Sequence, residues 1–105
     1  METSLISKAF MTFMKEAHEH SIVWGEMIQG LAKASALDKK TEELSYIAVL
    51  AALGMTSGIP FHVNAAKESG ATRKEIISAV LVGLPAAGLS VTQALPLVIE
   101  AYDNE

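Results

Sequence analysis

From Ile76 to Ile99 the chain carries no charged residue, and this run restricts the possible folds more than any other feature. A stretch of that length is long enough to cross a bilayer as one helix. Its interior argues otherwise: Gly83, Pro85, Gly88 and Pro96 interrupt it, and Ser90, Thr92 and Gln93 add polar groups. The flank beyond it is acidic (Glu100, Asp103, Glu105), with no basic anchor. The reading is two buried helices and no membrane span. So much uncharged helical surface exceeds what one small chain covers, which predicts burial between subunits, with residues 76 to 99 in the interface.

The rest of the chain agrees with an all-α domain. Half of its 105 residues are apolar and the net charge is −4, far from the composition of a disordered segment. The length suits a single domain, residues 1 to 105. Ala, Leu, Ile and Val outnumber the aromatics, which favours close helix packing. Basic residues are scattered, and Lys39, Lys40, Arg73 and Lys74 lie near carboxylates, so nucleic acid is not an expected partner. The opening residues METSLISKAF lack the basic start and apolar core of a secretory signal, and a cytoplasmic location is the simplest reading.

Helix signals divide the chain into five or six elements. Leu5, Phe10, Phe13, Met14 and Ala17 predict an amphipathic helix over residues 3 to 19, and Ser21 is placed as the cap of a second helix over 22 to 35. Thr41, followed by Glu42 and Glu43, predicts a capped start to a helix that is apolar on nearly every side and ends at Gly54. Pro60 suits the first turn of the next helix, which Gly70 ends. Thr72-Arg73-Lys74-Glu75 is a capping box that opens a further apolar helix. Pro85 and Gly88 bend or break the chain beyond it, and Ser90 restarts a helix to about Tyr102 in which Pro96 makes a kink.

Two residues stand out chemically. His62 shares a helical face with Ile59, Val63, Ala65, Ala66 and Ser69; a buried imidazole is a natural general acid or base, or else a structural histidine bonded to a backbone carbonyl. Glu43 steps to Tyr46, Ile47 and Leu50, although a first-turn glutamate is explained equally well by the helix dipole. Their meeting faces an obstacle of geometry. Glu43 lies eleven residues before Gly54, about 16 Å of helix, so in a straight antiparallel hairpin His62 sits too near the turn to reach it. A wide turn, a steep crossing, a water or a neighbouring subunit is then required.

Other chemistry finds no support. His18 and His20 project about 200° apart on a helix and no cysteine or acidic cluster completes a metal site. SGIPFH lacks the phosphate-loop lysine and GLPAAG follows no strand, so no cofactor is expected. With no cysteine in the chain, disulfide and thiol chemistry are removed.

The block LDKKTEELSYIAVLAALGMTSGIPFHVNAAKESGATRKEIISAVLVGLPAAG, residues 37 to 88, resembles the carboxymuconolactone decarboxylase and alkylhydroperoxidase D family. The elements that carry the likeness are Glu43 opening an apolar helix, a short turn, His62 before an Ala-rich helix, and GATRKEI with its capping box. The resemblance implies an all-helical fold and a homo-oligomer, a hexamer. In the peroxidase branch it implies a redox cysteine pair where this chain has Met55 and Gly58, with Ser57 replacing an intervening histidine; a thioether and a glycine supply no thiolate. In the decarboxylase branch it implies removal of CO2 from a small lactone acid, with His62 as proton donor and Glu43 orienting it or sharing its proton. Thr56 and Ser57 are then the polar residues of the turn that would contact a small carboxylic acid or lactone, and Lys39, Lys40 or Arg73 of another subunit would supply a cation. The alternative is a non-catalytic binding or structural oligomer that kept the fold. A concave pocket at His62 would favour the enzyme; a filled, dry one would favour the alternative.

Overall fold

Helix accounts for most of the described residues, 6 to 104, of a computed structural model of the chain; turns join the helices, and no strand occurs among those residues. Six helices of nine residues or more and one single-turn helix are present: α1 (Lys8–Glu16), α2 (His18–Ala34), α3 (Lys39–Leu53), α4 (Ile59–Glu68), α5 (Arg73–Leu81), α6 (Leu84–Ala87) and α7 (Leu95–Asp103). Two 3₁₀ segments, Thr56–Gly58 and Leu89–Ala94, precede α4 and α7. The chain's length suggests one domain; the structure divides it into two compact units, up to Asp38 and from Lys39.

The first unit holds α1 and α2. Ser7 caps α1 by accepting from the Phe10 N–H at 3.0 Å, so the helix begins at Lys8. Thr3 and Leu5, assigned to it from the sequence, lie outside the described residues. Ala17, at φ −125° and ψ 54°, breaks the helical path, and α2 starts at His18. Ser21 is therefore not a cap. It lies inside α2, where its hydroxyl donates back to the His18 carbonyl at 2.7 Å, a bond available to serine within a helix. Phe10 and Phe13 meet Trp24 edge-on, at centroid distances of 5.0 and 6.4 Å. No residue of α1 or α2 is buried, and Val23, Met27 and Leu31 of α2 are all at least half exposed.

The second unit has a hydrophobic core in which Ile47, Ile59, Val63, Ile76, Val80, Val91 and Val98 are fully enclosed. α3 starts at Lys39, two residues before the expected cap, which places Thr41 in its first turn. The helix ends as glycine dictates. Gly54 takes φ +72°, and its N–H and that of Met55 bond to the carbonyls of Ala51 and Leu50, closing the last turn. Gly70, at φ +97°, ends α4 in the same way, with Gly70 and Ala71 donating to Lys67 and Ala66. Both bonds of the Thr72 capping box are formed.

Three expectations change. α3 is not buried all round: it packs on α4 and α5 with Ile47, Leu50 and Ala51, leaving Tyr46, Val49 and Leu53 exposed on another side. The 76 to 99 stretch is largely consumed by the chain's own core, to which it gives Ile76, Ala79, Val80, Val91, Ala94 and Val98; of its large apolar side chains, Val82 and Leu89 remain exposed. Pro96 does not kink a helix. The 3₁₀ segment ends at Ala94, so Pro96 falls in the first turn of α7, where a missing N–H costs nothing. No helix among the described residues is long and apolar enough to cross a membrane. Lys67 fastens the end of α7, donating to the Tyr102 carbonyl at 2.8 Å, and Arg73 grips Asp103 through two bonds.

Candidate functional site

Glu43 and His62 are in direct contact, with Nδ1 of His62 2.8 Å from Oε1 of Glu43. The turn removes the obstacle of distance. The 3₁₀ segment Thr56–Gly58 folds back along α3, so that a Cβ placed on Gly58 would lie 3.7 Å from Cδ1 of Leu50. α4 thus starts level with Leu50 rather than Gly54. Glu43 lies about 10 Å of helix from Leu50 and His62 about 6 Å from Gly58, a difference that the two side chains span. Neither a water nor a second subunit is required.

Glu43 is the one buried charged residue among the described positions, 8% exposed. Burial alone would push its carboxyl up. The hydrogen bond and charge of His62, with those of Lys39, outweigh this and hold it below the usual carboxylate value. Lys39 reaches Oε2 at 3.2 Å from one turn earlier on α3, its side chain mostly in solvent. An ionised carboxylate only accepts hydrogen bonds, so Nδ1 of His62 must carry the proton. Nε2 is then the atom left for chemistry: a base in the neutral ring, an acid in the imidazolium.

The surroundings of His62 are aromatic. The Tyr46 ring lies 4.4 Å away, tilted by 49°, and Phe61 meets the imidazole edge-on at 5.2 Å. Cδ2 of His62 is the atom that a Cβ on Gly58 would approach, at 3.9 Å. The Cδ2–Nε2 edge therefore lies alongside the 3₁₀ turn. Thr56 and Ser57, the two polar residues expected to contact substrate, are exposed on that turn. An open groove of about 600 Å³ lies elsewhere, between α3 and α5, lined by Leu44, Ala48, Ser78 and Val82 among others; neither Glu43 nor His62 belongs to it.

The profile of the carboxymuconolactone decarboxylase family matches residues 19–100, most of the chain. The chain belongs to that family. Searches of curated proteins and of solved structures give no match. Within this carboxymuconolactone decarboxylase family chain there is no cysteine, so the turn before α4 presents Met55, Ser57 and Gly58 in place of any thiol.

Sequence reasoning missed two members of the site. Lys39 enters it only as a cation from another subunit, whereas its spacing of four residues from Glu43 already predicts an ion pair on one helix. Lys40 and Arg73, its companions in that expectation, are paired within their own chain, with Glu75 at 3.1 Å and Asp103 at 2.9 Å. Tyr46 shares the face of Glu43, but nothing in the sequence places its ring on His62.

Proposed function

We propose that this protein performs acid/base chemistry on a small organic acid or lactone, with His62 carrying the proton and Glu43 bonded to Nδ1 of its imidazole. The 2.8 Å bond between Glu43 and Nδ1 of His62 carries this reading. It favours one tautomer, which leaves Nε2 to deliver or remove a proton. In a decarboxylation of the family's type, the bond to the carboxylate carbon breaks, CO2 leaves, and its electron pair becomes a dienolate. The proton on Nε2 passes to carbon, and solvent reprotonates the ring. Family membership supports this reading and the absence of cysteine argues against a thiol peroxidase.

Assembly into a homo-oligomer, a hexamer, belongs to the same proposal. The exposed apolar side chains of α2 (Val23, Met27, Leu31) and of α3 (Val49, Leu53) support it, and they outnumber those of the 76 to 99 stretch. One observation favours the alternative, a non-catalytic oligomer: the groove between α3 and α5 lies away from His62.

A panel of small lactone acids, followed by ultraviolet absorbance and CO2 release, tests the reading with wild type and His62→Ala. Turnover that disappears in the variant, with an unchanged mass by light scattering, supports it. Activity that survives the substitution removes His62 from the role, and a monodisperse monomer at micromolar concentration overturns the assembly.

A further inference from the structure

Glu43 fixes one atom of the His62 ring, and one hydrogen bond does not fix a ring. Rotation of the imidazole by half a turn about its bond to Cβ would bring Cδ2 to the carboxylate and carry Nδ1 toward Gly58. Gly58 offers no side chain to prevent this. Something else must hold the ring plane. Tyr46 is placed to do so: it lies three residues after Glu43 on α3, on the same face, with its ring centroid 4.4 Å from that of His62. Phe61 touches the ring at its edge, 5.2 Å away and nearly perpendicular, and gives less coverage of the face.

Core packing does not account for Tyr46. The residue is 44% exposed while Ile47, its neighbour in sequence, is fully buried. Its aromatic ring, nearly half in solvent, rests on the one histidine of the site.

We propose that Tyr46 is a positioning residue, whose ring holds the imidazole of His62 in the orientation that keeps Nδ1 on Glu43 and Nε2 on the side of the 3₁₀ turn. The hydroxyl is not required. This rests on the reading of His62 as proton carrier, and it is tested by a measurement that needs no substrate.

The experiment is long-range ¹H–¹⁵N NMR of the histidine rings in full-length wild type, Tyr46→Leu and Tyr46→Phe, with His62 assigned through His62→Gln. Leucine keeps apolar bulk and helix propensity at a half-exposed site, and circular dichroism confirms that each variant is folded. The expected result is a single Nδ1–H tautomer for His62 in wild type and in Tyr46→Phe, and its replacement by a mixture of tautomers in Tyr46→Leu. A His62 signal unchanged in Tyr46→Leu overturns the proposal, and so does a Tyr46→Phe protein that behaves like Tyr46→Leu. Where a turned-over lactone acid is in hand, kcat should fall about tenfold or more in Tyr46→Leu, with KM little changed, as misplaced catalytic groups lose rate. The two readings fail separately: a tautomer change in a protein without turnover removes the catalytic role and leaves the positioning role, whereas turnover with an unchanged tautomer does the reverse.

Discussion

Replacing Glu43 with glutamine tests how much of the site's stability is electrostatic, because the amide keeps the volume and loses the charge. In the wild type, the carboxylate accepts from Nδ1 of His62 at 2.8 Å and faces Nζ of Lys39 at 3.2 Å. A hydrogen bond to a charged group contributes about 1.5 to 3 kcal/mol and a neutral one about 0.5 to 1.5, so the His62 contact loses roughly 1 to 1.5 kcal/mol. The Lys39 pair adds roughly 0 to 0.5 kcal/mol, since the lysine side chain is 65% exposed and screened. Relief of the carboxylate's own desolvation offsets part of this. The expected net loss is about 1 kcal/mol at neutral pH, a fall in Tm of about 4 to 8 °C for a domain of this size.

The pH dependence has a definite sign. The Glu43 carboxyl is held below its ordinary value in the folded protein, so the stability it contributes is present above the unfolded-state pKa and is lost as pH falls through the lower, folded value. The difference between wild type and Glu43→Gln should therefore be full near neutrality and shrink in acid. Urea unfolding followed by far-ultraviolet circular dichroism, from neutral pH to about pH 2, measures it directly. Other carboxylates titrate alike in both proteins and cancel in the difference. A gap that is constant across this range, or a variant as stable as wild type at neutral pH, would refute the assignment of an ionised, favourably paired Glu43.

Four further outcomes are expected. Ile47→Ala, which empties a fully buried position one turn from Glu43, should cost about 2 to 5 kcal/mol in urea unfolding. Thr72→Ala should cost about 1 kcal/mol by removing the acceptor that the Glu75 N–H reaches at 3.0 Å. Gly58→Ala should be tolerated, since φ is −88° and the added carbon meets only ordinary contacts at 3.7 and 3.9 Å, whereas Gly54→Ala, at φ +72°, should lower stability by about 1 to 2 kcal/mol in the same assay.

Local rules made much of the fold readable. The capping box at Thr72, the glycines that close α3 and α4, and Pro60 in the first turn of α4 each act within a few residues, so their consequences follow from spacing alone. Boundaries set by competing local choices were less readable. Ser21 has the chemistry of a cap, but it stands four residues after Ala17, where the helix path is already broken, and its hydroxyl turns back to His18 instead. Pro96 reads as internal to a helix because the sequence does not mark the change from 3₁₀ to α geometry at Ala94.

The candidate site divides along the same line. The sequence by itself determined an all-helical chain, a glutamate and a histidine each set among apolar positions of its own helix, and the exclusion of thiol chemistry, because helix periodicity and residue type are properties of the chain. It also determined the family, which the profile match over residues 19–100 establishes. Only the tertiary structure decided that Glu43 and His62 touch, because their approach depends on how far the turn at 54 to 58 folds back along α3. It alone placed Tyr46 against the imidazole and left it nearly half in solvent. A contact between residues nineteen apart in sequence is fixed by the path of the turn and the packing of two helices, and neither is written in the spacing of the residues that meet.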